Sequence, residues 1–82
     1  MASFFGPVYL TDLRALPRPL RLRAAAMVRE IEANPAPDGV FKRVAPPPFK
    51  AGTIVAIARG LAVRHAIDSD GLRFYRVQPV EA

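Results

Sequence analysis

Residues 53–77 read TIVAIARGLAVRHAIDSDGLRFYRV, which is three apolar runs separated by two short polar breaks. The runs cover 53–58, 61–67 and 72–77, and they are rich in the Val, Ile, Phe and Tyr residues that favour strands. The breaks contain Arg59-Gly60 and Asp70-Gly71, and glycine accepts the positive φ that tight hairpin turns require. The pattern therefore predicts an antiparallel meander of three strands.

An amphipathic helix is predicted before the meander. Pro19 suits the first turn of a helix, and Asn34-Pro35 suits its end. Between them, apolar residues recur with a period close to 3.6, so that one stripe of the helix is apolar; its members are Leu20, Ala24, Met27, Val28 and Ile31. We expect this stripe to cover one face of the sheet.

The remaining segments complete an α+β pattern. We interpret residues 8–10 as the core of an N-terminal strand, Thr11 as the N-cap of a short helix ending near Leu16, and residues 40–44 as a further strand. Pro46-Pro47-Pro48 is interpreted as a stiff connector. The predicted fold is a single domain, 1–82, in which an N-terminal strand and a helical hairpin pack on one face of a four-stranded antiparallel sheet. The other sheet face is left open.

Composition limits the classes of function. The 82 residues contain no cysteine, one histidine and seven carboxylates, so we expect no disulfide, no metal site and no cofactor. A signal-peptide pattern and a run of bilayer length are missing from the sequence, and we expect a cytoplasmic protein without membrane contact. The net charge is +5, and ten of the twelve cations are arginine. This balance favours an acidic partner, which could be RNA, DNA or protein.

Alternation along the second meander strand sorts its side chains between the two faces. Leu61, Val63, His65 and Ile67 share one face, which we assign to the core, and Arg64 falls on the open face. The register of the last strand stays undetermined, so Arg73 and Tyr75 either join Arg64 or face the core. An open face that carries arginines and a tyrosine suits RNA, because guanidinium binds phosphate and tyrosine stacks on bases.

Established catalytic patterns are missing from the sequence. There is one histidine, with no Gly-rich phosphate loop and no carboxylate pair at a distinctive spacing. An enzyme of this composition would work by positioning and charge. Arg64, His65 and Tyr75 are the candidate catalytic residues, and His65 would contribute only if it pointed out of the core.

Several short motifs resemble one known family. Residues 16–21, LPRPLR, start the long helix; Asn34-Pro35 ends it; and residues 63–68, VRHAID, precede the final strand. Together with the order of elements, they are similar to the RelE/ParE toxin superfamily of type II toxin–antitoxin systems. The similarity covers residues 11–80.

The resemblance implies a toxin-type protein bound by an antitoxin. RelE-type members cut ribosome-bound messenger RNA with basic residues on the middle strands, whereas ParE-type members bind gyrase. Here residues 53–58 carry no Lys or Arg, so the chain looks degenerate at the expected catalytic positions. We therefore predict a toxin-like component that acts through macromolecular binding. A ribosome-dependent RelE-type endoribonuclease and a small basic nucleic-acid-binding or structural module are the alternatives, and the enzyme question stays open.

The predicted contacts of the toxin-like component are basic. Its partner is an antitoxin, with the ribosome, RNA or gyrase as its target. The candidate binding residues are Lys42, Arg43, Lys50, Arg59, Arg64, Arg73 and Arg76.

Overall fold

The structure, a computed structural model, describes residues 2–39 and 41–80. Its elements in chain order are β1 (Ala2–Phe5), α1 (Pro7–Ala15), α2 (Arg18–Ala33), β2 (Lys42–Val44), β3 (Ile54–Ala58), β4 (Leu61–Asp68) and β5 (Gly71–Pro79). The strands form one sheet in the order β1-β5-β4-β3-β2. Helix α1 contacts β5 and α2 contacts β4. The predicted α+β class and helical hairpin are confirmed.

The sheet differs from the predicted one in its strand count. Within residues 2–39 and 41–80 it has five strands instead of four, because β1 pairs with β5, and this pair is parallel. The other three pairings are antiparallel, as the meander pattern predicts. The result is a mixed sheet in which β1 and β2 are the edges.

Both meander hairpins have two-residue turns. Ala58 pairs with Leu61, and the turn residues Arg59 and Gly60 have φ values of 54° and 79°, as a type I′ turn requires. In the second hairpin, Asp68 pairs with Gly71, so the turn lies one residue earlier than Asp70-Gly71. A Cβ on Gly71, whose φ is 152°, would lie 2.1 Å from the Ala2 carbonyl oxygen. This glycine therefore lets β1 lie against β5.

The stripe of α2 forms the centre of the core, as predicted. Ala24, Met27 and Ile31 are fully buried, and Val28 is buried beside them. They pack with residues of the covered sheet face, which include Val63, Leu72, Phe74 and Val77. The helix ends at Ala33, and the backbone N–H of its C-cap residue, Asn34, donates to the Glu30 carbonyl oxygen at 3.1 Å.

The N-terminal prediction is wrong. Residues 8–10 lie in α1, and Thr11 is a mid-helix residue whose hydroxyl donates to the Pro7 carbonyl oxygen at 3.0 Å. The strand lies earlier and ends before Gly6, whose N–H donates to the Phe74 carbonyl oxygen. Pro7 then starts the helix, because the N–H that proline lacks would be unpaired in the first turn anyway. Tyr9 turns inward from α1 and is buried.

Two smaller expectations also change. The predicted strand 40–44 is observed as β2, Lys42–Val44, and Val40 lies outside the described residues. Ile67 was expected in the core but is 45% exposed near the end of β4, although Leu72 opposite it on β5 is buried. Within the described residues, no helix is long and apolar enough to cross a bilayer.

Candidate functional site

A bulge in β5 shapes the open sheet face. Arg64 of β4 pairs with Arg76, but the next residue, His65, pairs with Phe74, so Tyr75 is the extra residue of β5. Such a bulge re-aims the side chains that follow it. Phe74 and Val77 are buried, while Tyr75 is exposed and Arg76 half-buried. Strict alternation, which would put Arg76 with Phe74 on the core side, therefore fails at this point.

The bulge brings basic and aromatic side chains together in one cleft. The cleft has a volume of about 300 Å³, and its lining comprises Phe49, Lys50, Thr53, Arg64, Tyr75 and Arg76. Strand register places Arg64 and Arg76 directly opposite each other. The same cross-strand row continues through Val55 to Arg43 on β2. We call the volume bounded by these six lining residues the basic cleft.

Arg64 lies at the centre of the basic cleft. Its Nη1 donates to the Gln78 Oε1 at 2.7 Å, and its Cζ lies 4.6 Å from the centroid of the Phe49 ring. Its Nε is buried and has no hydrogen-bond partner among the residues that the structure describes. A buried charged donor without an acceptor is costly.

Arg76 is held by an acidic residue of α1. Its Nε donates to Asp12 Oδ2 at 2.7 Å and its Nη2 to Asp12 Oδ1 at 3.3 Å, while the Val77 N–H donates to Oδ2 at 3.2 Å. The hydrogen bond from Arg76 is the main cause that holds the pKa of Asp12 below its usual range; the Val77 N–H and the Arg64 charge act in the same direction. Asp12 is thus an ionised side chain that binds one of the arginines lining the cleft.

His65 lies behind the cleft, in the core, as alternation predicts. It is fully buried, and its Nε2–H donates to the Pro35 carbonyl oxygen at 3.2 Å. Burial lowers its pKa, and the nearby Lys42 charge adds to this effect. Of the three candidate catalytic residues, therefore, Arg64 and Tyr75 line the cleft and His65 does not.

The other candidate binding residues divide into three groups. Lys50, Arg64 and Arg76 line the basic cleft, and Arg43 continues their row. Arg73 lies on the same face, but it is paired with Asp68 at 2.6 Å and stacked 4.9 Å from the Phe4 ring centroid.

Two predicted binding residues lie elsewhere. Lys42 is buried on the helix-covered face, where its Nζ donates to the Asn34 carbonyl oxygen. Arg59 forms an ion pair with Glu30 of α2 at 2.6 Å. Lys42 and Arg59 therefore do not belong to the group of basic residues on the uncovered sheet face.

The sequence patterns do not identify three residues that line the cleft or bind its arginines. Phe49 follows the three prolines as a lone aromatic residue, and this position is a local signal that could have identified it as a candidate binding residue. Gln78 and Asp12 have no local signal. Asp12 is 64 positions from Arg76 in the chain, so only the tertiary fold brings the two together.

The fold combines an edge strand, a helical hairpin and an antiparallel meander with one uncovered face, and it is similar to the fold of RelE structures. No protein-family model and no curated protein matches the sequence. Solved structures do match. A chain of the RelBE2 toxin–antitoxin complex from Mycobacterium tuberculosis superposes with a TM-score of 0.79 at 17% identity, over 95% of both chains.

Two further structures agree with this assignment. The isolated Escherichia coli RelE toxin matches with a TM-score of 0.76 at 14% identity, over 98% of this chain and 84% of that chain. A chain of the RelB–RelE antitoxin–toxin complex from Methanococcus jannaschii matches with a TM-score of 0.65 at 14% identity, over 93% and 88%. The resemblance seen in the sequence motifs is confirmed at the level of the fold.

Proposed function

We propose that this protein is the toxin-type component of a type II toxin–antitoxin system, that it binds RNA in the basic cleft, and that an antitoxin neutralises it. The observation that carries the proposal is the convergence of Lys50, Arg64 and Arg76 with Tyr75 and Phe49 on the uncovered face of a RelE-like fold. The site of action is the cytoplasm, where RNA and ribosomes are found.

The chemistry of the basic cleft favours a nucleic-acid strand. Arginine binds phosphate through two parallel N–H donors, and two arginines, Arg64 and Arg76, line the basic cleft. Phe49 and Tyr75 are both partly exposed, so each offers ring surface on which an unpaired base could stack. Cations combined with exposed aromatic rings suit single-stranded RNA, whose phosphates and unpaired bases they contact together.

The antitoxin part of the proposal is supported by the matched complexes and by charge. Two of the matched structures are complexes of a toxin with its antitoxin. The net charge of +5 favours an acidic or amphipathic partner. Such a partner would be encoded next to the toxin, and it would cover the uncovered sheet face.

A growth assay tests the proposal. Induction of the wild-type protein should arrest growth, and co-expression of the neighbouring reading frame should relieve the arrest. Arg64→Ala and Lys50→Ala should weaken the arrest because each removes a cation from the basic cleft. Arg29→Ala is the matched control, since this exposed arginine of α2 lies outside the cleft lining. Normal growth on induction of a stable, folded wild-type protein would contradict the proposal.

Cleavage of RNA is a second candidate function, and one observation favours it. Tyr75 lines the same cleft as three cations, and cations around a scissile phosphate stabilise the charge that develops there. A positioned proton-transfer group adds typically about 10²–10⁴-fold. His65 is buried and unavailable for this role, so proton transfer would depend on Tyr75 or Lys50.

We therefore expect little ribosome-dependent cleavage of messenger RNA by the wild type. The measurement compares the wild type with Arg64→Ala and Tyr75→Phe on translating ribosomes. Tyr75→Phe keeps the ring and removes only the hydroxyl, so it separates stacking from proton transfer. Robust cutting by the wild type that both variants abolish would establish the enzyme function in place of binding alone.

A further inference from the structure

Asp12 of α1 is an acidic side chain that binds Arg76, one of the residues lining the basic cleft. Its carboxylate accepts hydrogen bonds from Arg76 Nε at 2.7 Å and from Arg76 Nη2 at 3.3 Å. We propose that Asp12 is a positioning residue of this cleft: it holds the Arg76 guanidinium beside Arg64, so that both arginines face the phosphate of one bound strand. This inference rests on the proposed RNA binding.

The cleft needs such a residue because of strand register. Arg64 and Arg76 are directly opposite each other on neighbouring strands, which lie about 4.8 Å apart in any sheet. Like charges in this position repel. The Arg76 side chain is 42% exposed, so without a counter-charge its long stem would carry the guanidinium away into water.

The Asp12 carboxylate is well placed to resist this movement. Strand β1 ends at Phe5, opposite Phe74, so among the described residues β5 has no strand neighbour on that side at Val77. The Val77 N–H donates instead to Asp12 Oδ2 at 3.2 Å. The carboxylate is therefore fixed to the sheet backbone as well as to α1, and its side chain is only 15% exposed. A fixed acceptor holds a guanidinium in one orientation through paired hydrogen bonds.

Positioning and simple charge predict opposite results for Asp12→Asn. By charge alone, removal of a carboxylate raises the net charge by one unit and strengthens attraction to RNA. By positioning, the same change frees Arg76 and weakens binding, although the protein has become more basic. Glu32→Gln is the matched control, because Glu32 is an exposed carboxylate of α2 that accepts a hydrogen bond from Ser3, which glutamine can also accept.

The experiment measures the binding of a fluorescein-labelled single-stranded RNA by anisotropy between 50 and 200 mM salt. We expect Asp12→Asn to bind several-fold more weakly than the wild type, with a log–log salt slope smaller by about 0.7, which corresponds to one lost phosphate contact on a single strand. Glu32→Gln should leave the slope unchanged, and Asp12→Glu should recover part of the affinity. Binding by Asp12→Asn that equals or exceeds binding by Glu32→Gln would overturn the proposal.

Two further measurements separate positioning from a folding defect and from failure of the proposed function. In an Arg76→Ala background, Asp12→Asn should cause no further loss of RNA affinity, since the group that it positions is gone. Independent additive losses would overturn the proposal. The Arg76 Nε–H resonance, measured by ¹H–¹⁵N NMR without RNA, should be protected from exchange in the wild type and in Glu32→Gln but not in Asp12→Asn. If the wild type binds no RNA, the function fails, and this resonance still tests the positioning.

Discussion

His65 combines full burial with one satisfied ring nitrogen. Its Nε2–H donates to the Pro35 carbonyl oxygen, and its Nδ1 is buried without a partner among the described residues. Lys42 donates to the adjacent Asn34 carbonyl oxygen, so two basic side chains meet at the C-terminal end of α2. A second positive charge here would be both desolvated and repelled, so the neutral imidazole is the form that the fold stabilises.

The first prediction concerns the pH dependence that follows from this histidine. The pKa of His65 is lowered by burial, so the unfolded chain takes up the proton first as the pH falls. The contribution of the neutral histidine to stability is therefore fully present above about pH 6.5, the ordinary histidine pKa, and it is lost as the pH falls below that value. Urea unfolding at pH 7.5 and at pH 5.5 should show this decline.

His65→Leu provides the control for this prediction. It removes the single histidine of the chain, so the difference between pH 7.5 and pH 5.5 should largely disappear. The carboxylates with lowered pKa values, including Asp12, contribute mainly nearer pH 4, because their unfolded pKa values lie there. A decline of equal size in His65→Leu would show that the histidine is not its cause.

At the scale of elements, the chain is predictable where the signal is local. The α2 stripe and the three meander runs repeat with their own helix or strand period, and the structure confirms them. The segment 4–10 carries no such period. Gly6-Pro7 can interrupt a strand or start a helix, and only pairing of β1 with β5 decides between these outcomes.

The site is less predictable than the fold, because its key contacts depend on pairing between strands. The bulge at Tyr75 depends on how β4 meets β5, and it moves Arg76 out of the face that alternation assigns to it. Arg64 and His65 precede the bulge, and their faces were predicted correctly. Asp12 joins the site from α1, and no pattern in the sequence connects it to Arg76.

The second prediction concerns α2 as the main cover of the sheet. Ile31→Ala should lower the free energy of unfolding by about 2–5 kcal/mol, because Ile31 is fully buried and its loss leaves a cavity. Leu22→Ala on the same helix is the control: Leu22 is 61% exposed, and its change should stay within about 0.5 kcal/mol. Chemical denaturation of both variants gives the comparison. Similar losses in the two variants, or none in Ile31→Ala, would contradict the observed orientation of α2.

At the scale of the whole molecule, the two faces of the sheet differ in their side chains. The helices bury an apolar core on one side of the sheet. The other side carries the cross-strand row of Arg43, Arg64 and Arg76, which we call the arginine row. The same side also has exposed apolar residues, which include Phe4, Phe49 and Ile57. A surface that is both cationic and apolar suits an amphipathic segment with acidic residues along one edge. The proposed antitoxin would therefore compete with RNA for this surface.

The third prediction is that the complex with the product of the neighbouring reading frame weakens with salt and depends on the uncovered face. The Debye length falls from about 10 Å at 0.1 M salt to about 3 Å at 1 M, so a contact that relies on the arginine row should lose affinity over this range. The combined change Arg43→Glu and Arg64→Glu should weaken the complex much more than Arg18→Glu with Arg29→Glu, a pair of exposed α2 residues with the same change in charge. Calorimetric titration of the purified proteins at both salt concentrations measures these affinities. Equal losses in the two double variants would mean that net charge alone drives association, and an affinity unchanged by either would place the partner on another surface.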